Sequence, residues 1–201
     1  MITINTKQLL DGVTGVAQFA SDRKDNRPNL QGLSFHVAGD RLELAATDTY
    51  ALGICDLGAY HSENIYYVFI NDTKVKDLTK VLKDTKLSAV NLHVYDTGVV
   101  RVTTPDTGDI LFSADSDPKQ FPKYREVLPT YLDERAGVTH FNIVPSRLAK
   151  LAKIPSADRH SSIFQTKLGS GMAMEFTRVD DYGKGNVSSW RVYVMPSPDR
   201  K

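Results

Sequence analysis

Apolar positions along the chain switch between two periods, and they do so three times. Residues 2–4 place isoleucines on either side of a threonine, as a short strand does. Leu9, Leu10, Val13, Val16 and Ala17 then recur at helical spacing, with Asn5 or Thr6 as the N-cap. Gly12 and Gly15 each weaken that helix by about 1 kcal/mol relative to alanine, so it must lean on packing. The polar run 21–29, which contains Pro28, ends it. Strands are expected at 30–37, 41–46 and 50–57. In the second of these, Leu42 and Leu44 alternate with Arg41, Glu43 and Ala45, the pattern of a half-buried strand.

The same order returns. Residues 65–70 read as a strand, Asn71 or Asp72 as a cap, and Val75, Leu78, Val81 and Leu82 as the apolar side of a helix running to about Lys83. Strands follow at 89–95, 99–103 and 109–114, with turns rich in Asp, Gly and Pro between them. A connector follows, rich in proline and charge. A third unit then begins with a strand at 139–144. Pro145 stands at a helix first turn, Leu148, Leu151, Ala152 and Ile154 form an apolar side, and Pro155 stops the helix. Strands are expected at 162–168, 172–179 and 188–195. The chain thus reads as three β-α-β-β-β units: a two-unit domain over 1–114, a connector over 115–137 and a third unit over 138–201. Three-strand meanders after each helix give mostly antiparallel sheets with helices on one face, an α+β fold.

Charge changes the picture only through its placement, because 25 Lys and Arg against 24 Asp and Glu leave a net +1. Residues 71–86 hold five lysines against three aspartates, and residues 145–160 hold four basic residues against one aspartate. Lys76, Lys80 and Lys83 recur at i, i+4 and i+7, largely opposite Val75, Leu78 and Leu82. Arg147, Lys150 and Lys153 form a similar stripe. Lys7, Arg23 and Lys24 add cations around the first helix. Basic helix faces of this kind suit the phosphates of duplex DNA, which they contact without reading sequence.

Chemistry for catalysis is not legible. His36, His61, His93, His140 and His160 are scattered outside any metal-ligand spacing. The acid pairs Asp180 with Asp181 and Asp115 with Asp117 fall in turn-like loops, and Ser and His show no triad arrangement. No catalytic residue, metal or cofactor is expected. The single cysteine, Cys55, follows an apolar run and reads as buried. The first residues lack a basic start and a long apolar run, and no stretch approaches the roughly 20 apolar residues that span a bilayer. A cytoplasmic location without membrane contact is expected.

Three segments carry a resemblance. Residues 29–48, NLQGLSFHVAGDRLELAATD, look like a strand–turn–strand ending in an Ala-Thr-Asp turn. Residues 121–129, FPKYREVLP, look like a connector of sequence Phe-Pro-Asp-Tyr-Arg-Arg-Val-Leu-Pro. Tyr193 to Pro196 look like a terminal Val-Met-Pro. Together they resemble the bacterial-type beta sliding clamp of DNA polymerase III, in a short, viral (phage) version. The resemblance implies a ring with helices lining a hole for duplex DNA and sheets outside. It implies a non-enzymatic processivity factor that tethers a replicative polymerase. It also implies an apolar pocket that takes short linear motifs from polymerases and clamp loaders. By local match that pocket uses Thr47, Thr49, Tyr50, Ala51 and Leu52, then Pro122, Tyr124 and Val127, then Tyr193, Val194, Met195 and Pro196. Asp48 reads as a turn former. The chain departs from the family at Glu126, where an arginine is usual, and after Pro196. Twelve units per family ring and three per chain imply a homotetramer. The residues themselves leave open a clamp-fold adaptor that binds protein without encircling DNA, and an enzyme of unrecognised type.

Overall fold

Two asparagines set the starts of the two long helices. The Asn5 Oδ1 accepts from the backbone N–H of Lys7 and Gln8, at 2.9 and 3.1 Å, and opens α1 (Thr6–Ala17). The Asn71 Oδ1 accepts from the N–H of Lys74 at 3.0 Å and opens α2 (Asp72–Asp84). Each cap satisfies donors that a helix N-terminus otherwise leaves unpaired. The structure, a computed structural model, describes residues 1–22, 24–60, 62, 64–104, 108–114, 121–128, 143–157, 165–168 and 173–195.

The strands are β1 (Ile2–Asn5), β2 (Gly32–Ala38), β3 (Arg41–Thr47), β4 (Ala51–Ala59), β5 (Tyr66–Asn71), β6 (Ala89–Tyr95), β7 (Val99–Thr104) and β8 (Gly108–Ser113), then β9 (Gln165–Leu168), β10 (Met174–Asp181) and β11 (Val187–Val194). They form two antiparallel sheets, β1-β6-β7-β8 and β5-β2-β3-β4-β11-β10-β9. The first two units exchange their opening strands: β1 pairs with β6, and β5 pairs with β2. The third unit does not stand apart. Its β11 pairs along β4, from Val194 opposite Ala51 to Ser189 opposite Asp56, so one sheet crosses from the first unit into the third. Antiparallel sheets with helices packed on them bear out the α+β class that the sequence predicts.

The two sheets are buried differently. In β6 and β7 buried and part-exposed residues alternate, as a sheet with one wet face requires. In β2 and β3 nearly every position is buried, so the half-buried pattern expected for β3 is corrected. One face, with Leu33, Phe35, Leu42 and Leu44, packs in the main core with Leu9, Val13 and Val16 of α1. The other face, with Ala45, Leu52, Ile54 and Phe69, is covered by Phe121 and Tyr124 of the connector. Within that connector Tyr124–Val127 form a single helical turn, α3.

Glycine lets α1 close on the third unit. A Cβ on Gly15 would lie 2.5 Å from the Trp190 ring of β11. The buried Trp190 donates its Nε1–H to the Asp180 Oδ2 at 3.0 Å, and Arg178 pairs with the same oxygen at 2.8 Å. Gln8 adds a bond from its Nε2 to the Val187 carbonyl at 2.9 Å. The helix that glycine weakens is therefore held by a close approach that only glycine permits.

The third unit departs from expectation at its helix. The segment between Pro145 and Pro155 forms a short helix, α4 (Pro145–Leu148), and a 3₁₀ turn at Leu151–Lys153, not one continuous helix. A span between two prolines is shorter than the ~12–15 residues an isolated helix needs, so local contacts decide its shape. Of the strand expected at 139–144, residues 139–142 lie outside the described residues. Val144 is the N-cap of α4 and not part of a strand.

Candidate functional site

α2 presents the clearest cationic face. Val75, Leu78 and Leu82 are buried, while Lys76, Lys80 and Lys83 are exposed on the other side. Lys76 meets Asp72 at 2.9 Å, a surface pair worth about 0.3–0.5 kcal/mol, which a phosphate can replace. Lys83 and Lys7 flank an open cleft of about 430 Å³, floored by Leu10 and Leu82 between the start of α1 and the end of α2. Cations read separately from two helices are thus brought together. Lys7 is more constrained than its lysine neighbours on α2. Its Nζ pairs with Asp11 at 2.6 Å, donates to the Ser156 carbonyl at 3.1 Å and lies 5.2 Å from the Tyr182 ring centre. Burial raises the Asp11 carboxyl above the ordinary aspartate value despite the opposing pull of Lys7. Lys24 and Lys153 are exposed, and Arg23 lies outside the described residues.

The stripe Arg147, Lys150 and Lys153 does not form a free edge. Lys150 pairs with Asp48 at 2.6 Å with its side chain 21% exposed, and its Nζ lies 5.8 Å from the Phe19 ring centre. Arg147 stacks over the Tyr50 ring at 4.3 Å and donates to the Met195 carbonyl at 2.9 Å. Two residues expected to face DNA instead touch the turn and tail expected to face a protein partner. Helical spacing placed them on one side; it carried no information about what that side meets.

That turn is tightly organised. The Asp48 Oδ1 accepts from the N–H of Tyr50 and of Ala51 at 2.9 and 2.8 Å, and its Oδ2 takes Lys150. The Thr47 hydroxyl donates to the Ala51 carbonyl and accepts from the Thr49 N–H. These bonds hold Thr49 at φ 76°, a left-handed conformation that a β-branched residue rarely adopts. Met195 N–H donates to the Tyr50 carbonyl at 2.8 Å and ties the tail to the turn.

The residues matched to a partner pocket divide into three groups. Thr49, Tyr50 and Met195 are exposed, and Pro122 is half-buried. Leu52, Tyr124 and Tyr193 are brought together on the connector side of the sheet and are buried there. Thr47 is buried, and Ala51 and Val194 lie in the main core on the helix side, out of reach of a ligand on the connector side. The Val127 side chain and Pro196 lie outside the described residues.

One cluster has no precedent in the sequence patterns. Glu43, a charged residue on a central strand, is buried under the connector. Its Oε2 pairs with Arg125 of the connector and its Oε1 accepts from Arg191 of β11 at 2.7 Å. The Arg125 Nε–H donates to the His36 Nδ1 at 3.1 Å, and His36 stacks on Tyr67 at 4.0 Å. Burial by itself would raise the Glu43 carboxyl; His36, Arg125 and Arg191 overcome it and hold it at about 2. The readable signal was indirect: Ala45, Leu52, Ile54 and Phe69 are apolar on a face that would be polar if it met water.

Among the described residues no group of three or more His, Cys, Asp or Glu is placed to hold a metal ion, and no helix is long and apolar enough to cross a membrane. Cys55 is buried, which pushes its thiol well up from the ordinary value.

Comparison with known proteins gives a consistent answer. Residues 3–111, which hold the first two units, match the family described as DNA polymerase III beta subunit, central domain. The beta sliding clamp of Escherichia coli K12 is 26% identical over 117 residues, covering 58% of this chain and 31% of that protein. The beta sliding clamp of Proteus mirabilis is 27% identical over 112 residues, covering 56% and 29%. The matched stretch therefore spans about a third of these relatives. Among solved structures, a DNA polymerase sliding clamp from Pseudomonas aeruginosa superposes with a TM-score of 0.68 at 16% identity over 98% of this chain and 66% of that one. A putative DNA polymerase III beta subunit from Eubacterium rectale gives 0.69 at 11% identity over 98% and 65%. At such identities the likeness is one of fold.

Proposed function

Because this chain belongs to the DNA polymerase III beta sliding-clamp family, we propose that it is a non-enzymatic processivity factor whose copies encircle duplex DNA and tether a polymerase and other motif-bearing partners. The observation that carries this reading is the exposed Lys76, Lys80 and Lys83 face of α2, opposite the buried Val75, Leu78 and Leu82. Lysine suits sliding: a mobile point charge follows successive phosphates without fixing a register. The partner side of the proposal rests on Tyr50 and Met195, exposed on the turn and the tail, and on the half-buried Pro122 of the connector.

Changing Lys76, Lys80 and Lys83 together to glutamate is expected to reduce the slope of log affinity for duplex DNA against log salt by about 3, since each phosphate contact contributes ~0.9. Circular dichroism of the variant should match the parent, because all three side chains point to water. An unchanged salt slope would remove α2 from the DNA path. Among the described residues β1, β8, β5 and β9 end the two sheets, and an open edge of this kind is able to pair with another copy of the chain. Light scattering is expected to give a multiple of the 22.3 kDa chain mass, four for a ring of twelve units. A monomer at micromolar concentration would exclude a stable ring of this chain.

A second reading is favoured by one observation. Lys7, Arg147 and Lys150 are engaged within the chain, which leaves fewer cations for phosphate than the sequence count offers. A clamp-fold adaptor that binds protein alone would show no retention of the parent chain on circular duplex, whatever the state of α2.

A further inference from the structure

Lys7 stands where a buried carboxylate, the third unit and the cleft at the end of α2 meet. Its Nζ pairs with the Asp11 Oδ2 at 2.6 Å and donates to the Ser156 carbonyl at 3.1 Å. It also lines, with Lys83, the cleft of about 430 Å³ to which Asn5, Thr6 and Ser88 add polar groups. The pair with Asp11 is asymmetric: the lysine side chain is 54% exposed and the carboxylate side chain 9%. The lysine can exchange this partner for another anion at little cost, since helix pairs at i, i+4 are worth only about 0.3–0.5 kcal/mol. The carboxylate has no such freedom. Asp11 is faced by Lys7 from its own helix and by Asp180 and Tyr182 from the third unit, with Cys55 of β4 beyond them. Arg178 is engaged by Asp180 at 2.8 Å. Among the described residues Lys7 is the one cation paired with Asp11. Burial already raises this carboxyl above the ordinary aspartate value, and Lys7 is the main counterweight. A buried carboxylate that loses its counter-charge neutralises itself by binding a proton.

We propose that Lys7 is a two-position switch: it holds Asp11 and Ser156 in the free chain, turns to a backbone phosphate when duplex DNA lies against the cleft, and leaves Asp11 to take up one proton from solvent. This rests on the reading of α2 as a DNA-facing surface and adds a regulation to it, in which DNA binding tightens as pH falls. The phosphate acts in the same direction as the departure of Lys7, because a second anion near Asp11 disfavours its ionised form. Well above the carboxyl's titration range Asp11 stays ionised with or without DNA, and no proton is taken up. As pH falls into that range, uptake and affinity rise together.

The test uses the full chain, a short linear duplex and titration calorimetry in buffers of different ionisation enthalpy, which counts the protons taken up on binding. The parent is expected to take up more protons at about pH 5.5 than at about pH 7.5. D11N, in which Lys7 is released in advance, should bind the duplex with that uptake missing. Across the same interval the affinity of the parent should gain roughly two- to ten-fold on that of D11N. K7Q should lose the same uptake and lower the salt slope by about 0.9, the share of one phosphate contact. Carbon-detected NMR of the Asp11 carboxyl in the parent reads the switch without a substitution: at the lower pH its resonance should move toward the protonated position when duplex is added. Equal proton uptake in parent and D11N, or an Asp11 resonance that does not move, overturns the switch while leaving DNA binding standing. So does a K7Q variant with an unchanged salt slope, which would show that Lys7 stays on Asp11. A parent chain that does not bind the duplex at either pH overturns the DNA reading and the inference together.

Discussion

Replacing Trp190 by alanine is expected to lower the unfolding free energy by about 3–5 kcal/mol, the usual range for emptying a buried aromatic site. The ring is 1% exposed, packs against α1 at Gly15, and donates a hydrogen bond to Asp180. Its removal leaves a cavity where the third unit packs most closely on the first helix. Among the described residues it also leaves Asp180 with Arg178 as its one side-chain donor. Urea denaturation measures the change as a lower midpoint. A companion variant separates this seam from a general loss of core. Gly15→Ala alone should destabilise by about 1–3 kcal/mol, because its new methyl meets the indole. In the Trp190→Ala background the same substitution should be tolerated or helpful, so the two effects should not add. Additive losses, or a Trp190→Ala cost below 1 kcal/mol, would show that the seam does not hold the third unit.

Glu43→Ala is expected to cost about 1–3 kcal/mol, because it unpairs two guanidiniums whose side chains, 42% and 35% exposed, keep part of their hydration. Arg125 and Arg191 come from segments more than sixty residues apart in the chain, and Glu43 is the point at which both meet the first unit. Arg125→Ala should cost less, since Glu43 retains Arg191. The same group predicts a pH dependence with a definite sign. Its carboxyl is held at about 2 in the fold against an ordinary 4.5. The stabilisation from its ionised form is therefore fully present above pH 4.5 and is lost as pH falls toward and through 2. Thermal melts of parent and Glu43→Gln should diverge at neutral pH and converge in acid. A constant difference between them across pH 2–6 would show that the charge of Glu43 does not contribute.

The fold was legible where local chemistry and periodicity agree. The caps were narrowed to Asn5 or Thr6 and to Asn71 or Asp72, and the asparagine serves in each pair. Val75, Leu78 and Leu82 fixed the buried side of α2, and with it the direction of Lys76, Lys80 and Lys83. Strands β6 and β7 alternate as written because their outer face meets water. The reading weakened where a distant segment decides the environment. Leu42 and Leu44 marked one face of β3, yet Glu43 between them is as buried as they are, because the connector lies over it. No period in 41–47 encodes that cover. The span 145–155 has the residues of an amphipathic helix and the length of half of one, so Arg147 and Lys150 follow their contacts with Tyr50, Met195 and Asp48 instead of a common stripe. The candidate residues divided in the same way: the exposure of those on α2 could be read from spacing, while the surroundings of those on the turn, connector and tail depended on which parts of the chain fold onto one another.

The pairing of β11 along β4 has a consequence for the integrity of the molecule outside any binding event. β4 runs for nine residues, Ala51–Ala59, with the sequence ALGICDLGA. It has one charged residue and no proline, and without β11 one side of it would be a row of unsatisfied amides and carbonyls. A bare, apolar edge of that kind recruits strands from other chains and seeds aggregation. The third unit closes it from within the same polypeptide. It serves as a built-in guard for the first sheet, and a fragment ending at the connector would carry its stickiest border uncovered.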